Sequence, residues 1–211
     1  MFYDEKPEQR LRFGDIIKGY IGITPVINVL DVDVRNCDFN IEVSYPEFFV
    51  VLTPCCSIEK KTLIIAPLER VLGSFFLNPY FVKDLTGINK KMTAEQSVSP
   101  NIFKSWSSEE REKRVSEEPH FALTEFFVYE KHDLLPEYEI NMKDVENIKT
   151  KYYMVNFKKT FNIKCDLINK NGDFALKVLQ LSLGSRNDLR DKIGSFYSSR
   201  PIEDIVEEAV K

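Results

Sequence analysis

No stretch of this chain approaches the roughly 18 consecutive apolar residues that a membrane span needs. The opening residues, MFYDEKPEQRLRFGD, lack the apolar core of a secretory signal, so the expectation is a cytoplasmic protein with no membrane partner. Cysteine is scarce: Cys37, Cys55, Cys56 and Cys165 are the four. In a reducing compartment such residues serve as free thiols or metal ligands rather than as disulfides. Histidine is scarcer still, with only His120 and His132. There is no internal repeat, low-complexity tract or Gly/Ser linker. Absent too are a Walker A loop, a dinucleotide fingerprint, a kinase signature set and an HExxH pair, so the chemistries those motifs support have no foothold here.

What is present suits one folded domain. Of 211 residues, 43% are apolar and 12% aromatic, enough for a sizeable core and too many for disorder. The net charge of −4 hides an asymmetry. Residues 149–200 carry 11 Lys and Arg against 4 Asp and Glu, while the remainder is strongly acidic. A basic segment on an acidic body either pairs with that body or faces phosphates or an acidic partner. Its candidate binding residues are Lys158, Lys159, Lys164, Arg186 and Arg190.

Strand signals dominate the first third. FGDIIKGYIGI predicts a strand over 14–21, and VINVLDVDVRN alternates Leu30, Val32 and Val34 with charged residues, the pattern of a half-exposed strand. FFVVLT and TLIIAPL are continuous apolar runs expected to be buried on both faces, with Pro54 and Pro67 ending them. Over 74–118 the character changes to aromatic, turn-rich sequence followed by SSEEREKRVSEE, an exposed helix with Glu109 and Glu110 four residues before Lys113 and Arg114. This segment reads as an insertion over the core, with Phe75, Phe76, Tyr80 and Phe81 forming a satellite cluster. Strands return in HFALTEFFVYE and YYMVNFKKTFNIKCDLI. Ser185 then caps a helix whose buried face is Leu189, Ile193, Phe196 and Tyr197, and Pro201 opens a last short helix. The fold class is α+β in one domain over 1–211: a β-rich core at about 14–73 and 120–183, an insertion at about 74–118, and a C-terminal helical pair at about 185–211.

Cys55 and Cys56 sit between the two apolar runs. In an extended segment adjacent side chains point to opposite faces, so one thiol packs inward and the other lines a surface hollow. The sharper alternative brings His132, with Asp133 or Glu137, to the TPCCS turn as a zinc site or as a Cys–His nucleophile. His120 lies at the far end of the same predicted strand, too distant to join it. No cofactor is expected; zinc is the alternative. Asp15, after a glycine, is expected to anchor a turn by accepting backbone N–H bonds.

Taken together, GDII, FFVVLT and TLIIAPL resemble the N-terminal half of the MazF/PemK-type toxin endoribonucleases, over residues 14–68. The resemblance implies a small SH3-like β-barrel core, and places Thr62 at the family's catalytic threonine. The family's arginine position falls at Glu47 or Phe48, where a glutamate would repel the phosphate that a cation must stabilise. The GDI and VVLTP-C arrangement also resembles uncharacterised prokaryotic proteins of mobile-element or defence loci. The leading expectation is a non-enzymatic binding or adaptor module of a prokaryotic multi-component system, its partner another protein or nucleic acid. The alternative is an enzyme, either a diverged toxin-type ribonuclease around Thr62 or a thiol- or metal-dependent hydrolase around Cys55, Cys56 and His132.

Overall fold

Short β-branched and aromatic runs separated by turns make this chain mostly strands, with helices at its middle and C-terminal end, a mixed α+β protein. The computed structural model describes residues 1–29, 37–58, 61–78, 80–98, 100–115, 119–121, 123–141, 147–164 and 176–198. They group into two units. The first holds Tyr3–Glu69 and Lys159–Ser182; the second holds Arg70–Lys158 and the helix that begins at Leu183.

In the first unit, β1 (Ile16–Lys18), β4 (Phe49–Val51), β5 (Thr62–Arg70), β10 (Phe161–Lys164) and β11 (Leu176–Leu179) form an antiparallel sheet in the order β11-β1-β4-β5-β10. A single helical turn, α1 (Cys55–Ile58), joins β4 to β5. β4 is buried along its whole length, as its unbroken apolar run requires. Phe49 and Val51 on it meet Leu11, Ile17, Tyr20, Ile58, Leu63 and Ile65 in one cluster, with Phe161 and Ile163 packed against it. Asp15 behaves as its position after glycine predicts. Its carboxylate accepts the Arg12 N–H at 2.7 Å and pairs with Lys177 at 2.7 Å, so a fully buried charge is compensated on site. Gly19, at φ +94°, turns the chain out of β1 in a conformation that other residues resist. The chain then forms β2 (Gly22–Val29) and β3 (Cys37–Ser44), a ribbon paired only with itself among the described residues.

The second unit is built on the pairs β6 (Phe126–Tyr129) with β9 (Tyr153–Asn156), and β7 (Tyr138–Ile140) with β8 (Ile148–Thr150). Around them lie 3-10 turns at Gly73–Leu77 and Leu85–Asn89, short helices α2 (Ala94–Ser97), α3 (Pro100–Ser105) and α4 (Ser108–Val115), and the long helix α5 (Leu183–Ser198). Phe75 and Phe81 are buried, whereas Tyr80 is exposed. Asn89 braces β6 from the side: its amide donates to the Val128 carbonyl at 2.6 Å and accepts the Val128 N–H at 2.7 Å. One buried side chain thus satisfies two strand groups that need partners.

Several expectations change. Pro67 does not end its strand; β5 runs on to Arg70 because the neighbouring Leu68 N–H supplies the bond to the Phe48 carbonyl, at 3.0 Å. Cys55 and Cys56 are not extended: they lie in the turn α1, closed by the Ser57 N–H on the Pro54 carbonyl at 2.8 Å. The strand predicted around His120 shrinks to Phe126–Tyr129. A turn at residues 123–125 precedes it, and His120 instead bridges Met92. Lys158 and Lys159 follow β9, in the turn that leads to β10. In α5, Ser185 is buried inside the first turn rather than capping it, and the buried stripe is Ser185, Leu189 and Lys192, with Tyr197 exposed. The helix expected from Pro201 and the alternation of Leu30, Val32 and Val34 lie outside the described residues.

Candidate binding surface

The β2–β3 ribbon carries a cluster of exposed apolar side chains. Ile23 faces Val43 directly across the ribbon, and Ile41 follows two residues along β3 on the same side. The exposures of Ile23, Val43 and Ile41 are 56%, 46% and 58%. Thr24 and Glu42, on the opposite side, are exposed as well. A two-stranded ribbon without a covered face is marginal in water, because its ladder alone does not offset the ordering of the chain. At its base a groove of about 540 Å³ opens between Ile21 and Ile23 on one side and Phe161 and Ile163 of β10 on the other. Gly22 makes this fit possible: a methyl group there would stand 2.8 Å from the Phe161 ring and 2.5 Å from the Ser44 hydroxyl. Residues 22–44 hold Asp31, Asp33, Asp38 and Glu42 against Arg35 alone, so the apolar face belongs to an acidic segment.

The residues singled out from sequence are scattered over both units. Cys55 is a free, half-buried thiol in the first unit, and its sulfur accepts the Phe13 N–H at 3.4 Å. Arg12 reaches the same sulfur while its guanidinium is held by Glu8 at 2.6 Å, which raises the Arg12 pKa above its usual value. The side chain of Cys56 lies outside the described residues. Thr62 opens β5 opposite Lys164. Glu47 and Phe48 have a cation beside them. Lys18 pairs with Glu47 at 3.1 Å, and its ammonium lies 4.5 Å from the centre of the Phe48 ring.

His132 belongs to the second unit, where its Nδ1 accepts the Leu134 N–H at 3.1 Å. It shares a shallow pocket of about 440 Å³ with Asp133, Glu137, Lys131, Lys149 and Lys151. Lys151 takes Asp133 as an ion-pair partner at 3.0 Å and holds its carboxyl below the usual range. Among the described residues no group of three or more His, Cys, Asp or Glu is placed to hold a metal.

Of the basic residues, Lys158 pairs with Glu125 and Lys159 with Glu69, the latter at 2.7 Å. Lys164 is exposed at the end of β10, Arg186 is half-buried in the first turn of α5, and Arg190 donates to Asn187 at 2.8 Å. No helix among the described residues is long and apolar enough to cross a membrane.

Lys192 is the residue that sequence reading missed. It is fully buried on α5, its ammonium donating to the Ile88 carbonyl and lying 5.8 Å from the centre of the Phe121 ring. Burial pushes its pKa down to about 7. The signal was its spacing: seven residues after Ser185 and three after Leu189, it falls on their helical face. Comparison with known protein families, with curated proteins and with solved structures found no match to this chain.

Proposed function

We propose that this chain is a non-enzymatic protein-binding module, an adaptor that docks another protein on the apolar face of the β2–β3 ribbon. One observation carries this reading: Ile23, Ile41 and Val43 stand half-exposed on one side of a ribbon paired only with itself among the described residues. Covering the exposed parts of these three side chains is worth roughly 3 kcal/mol, and patches of this kind mark interaction sites. The acidic balance of residues 22–44 selects the partner's chemistry: an apolar surface rimmed by Lys or Arg. Nucleic acid is disfavoured at this face, since phosphates would meet like charge. A role in a prokaryotic multi-component system, and an SH3-like closure of the first unit's sheet, belong to the same reading.

The test places a photo-crosslinking residue at Ile41 and, separately, at Thr24 on the opposite side. Crosslinking from position 41 should capture a protein whose contacting peptide is apolar and basic, and Ile23→Glu should abolish the capture. A product that is a second copy of this chain, or equal capture from both positions, would sink the proposal.

A further inference from the structure

The second unit contains a cavity of about 600 Å³ whose two walls carry opposite charge. One wall is the segment after the Leu85–Asn89 turn, with Lys90 and Lys91. The other is α5, with Asp188 and Asp191 one helical turn apart. None of these four side chains has an ion-pair or hydrogen-bond partner among the described residues, and all four line the cavity. Arg190 also borders the cavity, but its guanidinium is turned to the Asn187 amide oxygen at 2.8 Å. Phe121 supplies an apolar surface between the charged walls.

A second observation assigns polarity to the site. The Lys192 ammonium, carried by α5, lies 5.8 Å from the centre of the Phe121 ring and donates to the Ile88 carbonyl, with no carboxylate paired to it among the described residues. A buried cation without a counter-charge favours negative charge nearby. The segment 89–91 is therefore the anion-seeking side, carrying Lys90 and Lys91 next to the Ile88 carbonyl that Lys192 meets. The carboxylate pair on α5 is the cation-seeking side.

We propose that this cavity binds a small zwitterion of the free amino-acid class. Its carboxylate faces Lys90 and Lys91, its ammonium faces Asp188 and Asp191, and its side chain lies on Phe121. A simple anion such as phosphate would satisfy one wall and be repelled by the other, and a simple amine would meet the reverse. Only a molecule carrying both charges matches both walls, and a cavity of this size admits one amino acid with room for its side chain. The site lies wholly within the second unit and does not depend on the ribbon reading.

The experiment is calorimetric titration of the full chain with L-phenylalanine, with phenethylamine, which lacks the carboxylate, and with hydrocinnamate, which lacks the ammonium. A panel of the other common L-amino acids is run alongside. Expected is saturable binding of at least one amino acid. For L-phenylalanine or a better-bound relative, each half-analogue should bind about tenfold more weakly, the loss of one charged contact. Asp188→Asn with Asp191→Asn should weaken the amino acid by a similar factor while leaving the half-analogue that lacks the ammonium unaffected. Both are changes at the cavity wall rather than in the core, and circular dichroism checks that the fold is kept. Absence of heat for every amino acid would overturn the proposal. Half-analogues that bind as tightly as the zwitterion would overturn it equally.

Discussion

A single methylene chain places the ammonium of Lys192 where it meets a backbone carbonyl and an aromatic ring instead of water. Its pKa near 7, against an ordinary value of about 10.5, ties stability to pH with a definite sign. Below pH 7 both folded and unfolded chains hold the proton, and the folded state bears the full cost of the buried charge. Between pH 7 and about 10.5 the unfolded chain still binds the proton while the folded one releases it, so stability rises with pH across that window. Melting followed by calorimetry should show a gain on the order of 2 kcal/mol between about pH 7 and 9. In Lys192→Met that gain should shrink sharply, because whatever other groups contribute is common to both proteins. The methionine variant should also melt higher at pH 7, since removing the charged burial outweighs the lost bond to Ile88, worth about 1 kcal/mol. An unchanged pH slope in the variant would show that the amine does not titrate in this window.

Among the elements, the ribbon and β10 depend on a contact that glycine alone permits. Gly22 opens β2 against the Ser44 hydroxyl and the Phe161 ring, and that ring packs edge-on against Phe49 at 6.2 Å. Gly22→Ala requires both neighbours to move, and Phe161 cannot retreat without disturbing the core cluster. The expected cost is about 1–3 kcal/mol, the range for overpacking a filled site. Denaturant melts would measure it, and a loss below about 0.5 kcal/mol would mean that the ribbon base yields freely. Element boundaries also show what local sequence conveys. The buried run of β4, the start of β5 and the exposed charge pattern of α4 could be read directly, because continuous apolar stretches and i, i+4 charge pairs are local signals. The continuation of β5 through Pro67 could not, because it depends on a bond donated by the next residue to another strand.

For the whole chain, a net charge of −4 and a sequence pI near 5.4 oppose polyanion binding unless a local basic field survives. Two of the five expected contact residues, Lys158 and Lys159, are already paired with Glu125 and Glu69. The protein should therefore pass through heparin without retention at about 0.15 M salt. Retention that falls steeply as salt is raised, and is lost in Arg186→Glu/Arg190→Glu, would restore nucleic acid as the partner class.

The strand-rich α+β character, the buried run of β4, most of that of β5 (Ile64 is exposed), the turn role of Asp15 and the long helix near the C-terminus were legible in the linear chain. Each is set by neighbours within a few residues: apolar continuity, glycine next to a hydrogen-bonding acid, or helical spacing. Which arc of α5 is buried was not legible, because that depends on the surface the helix lies against. Leu189 is buried as expected, but Lys192 joins it in the core while Ile193 and Phe196 are only half-buried. Tertiary contacts likewise brought Arg12 to the Cys55 sulfur, set Lys18 at Glu47 and Phe48, and left Ile23, Ile41 and Val43 uncovered. Alternating apolar residues announce a strand with one greasy side, but whether that side meets a core or water is settled only when distant segments have taken their places.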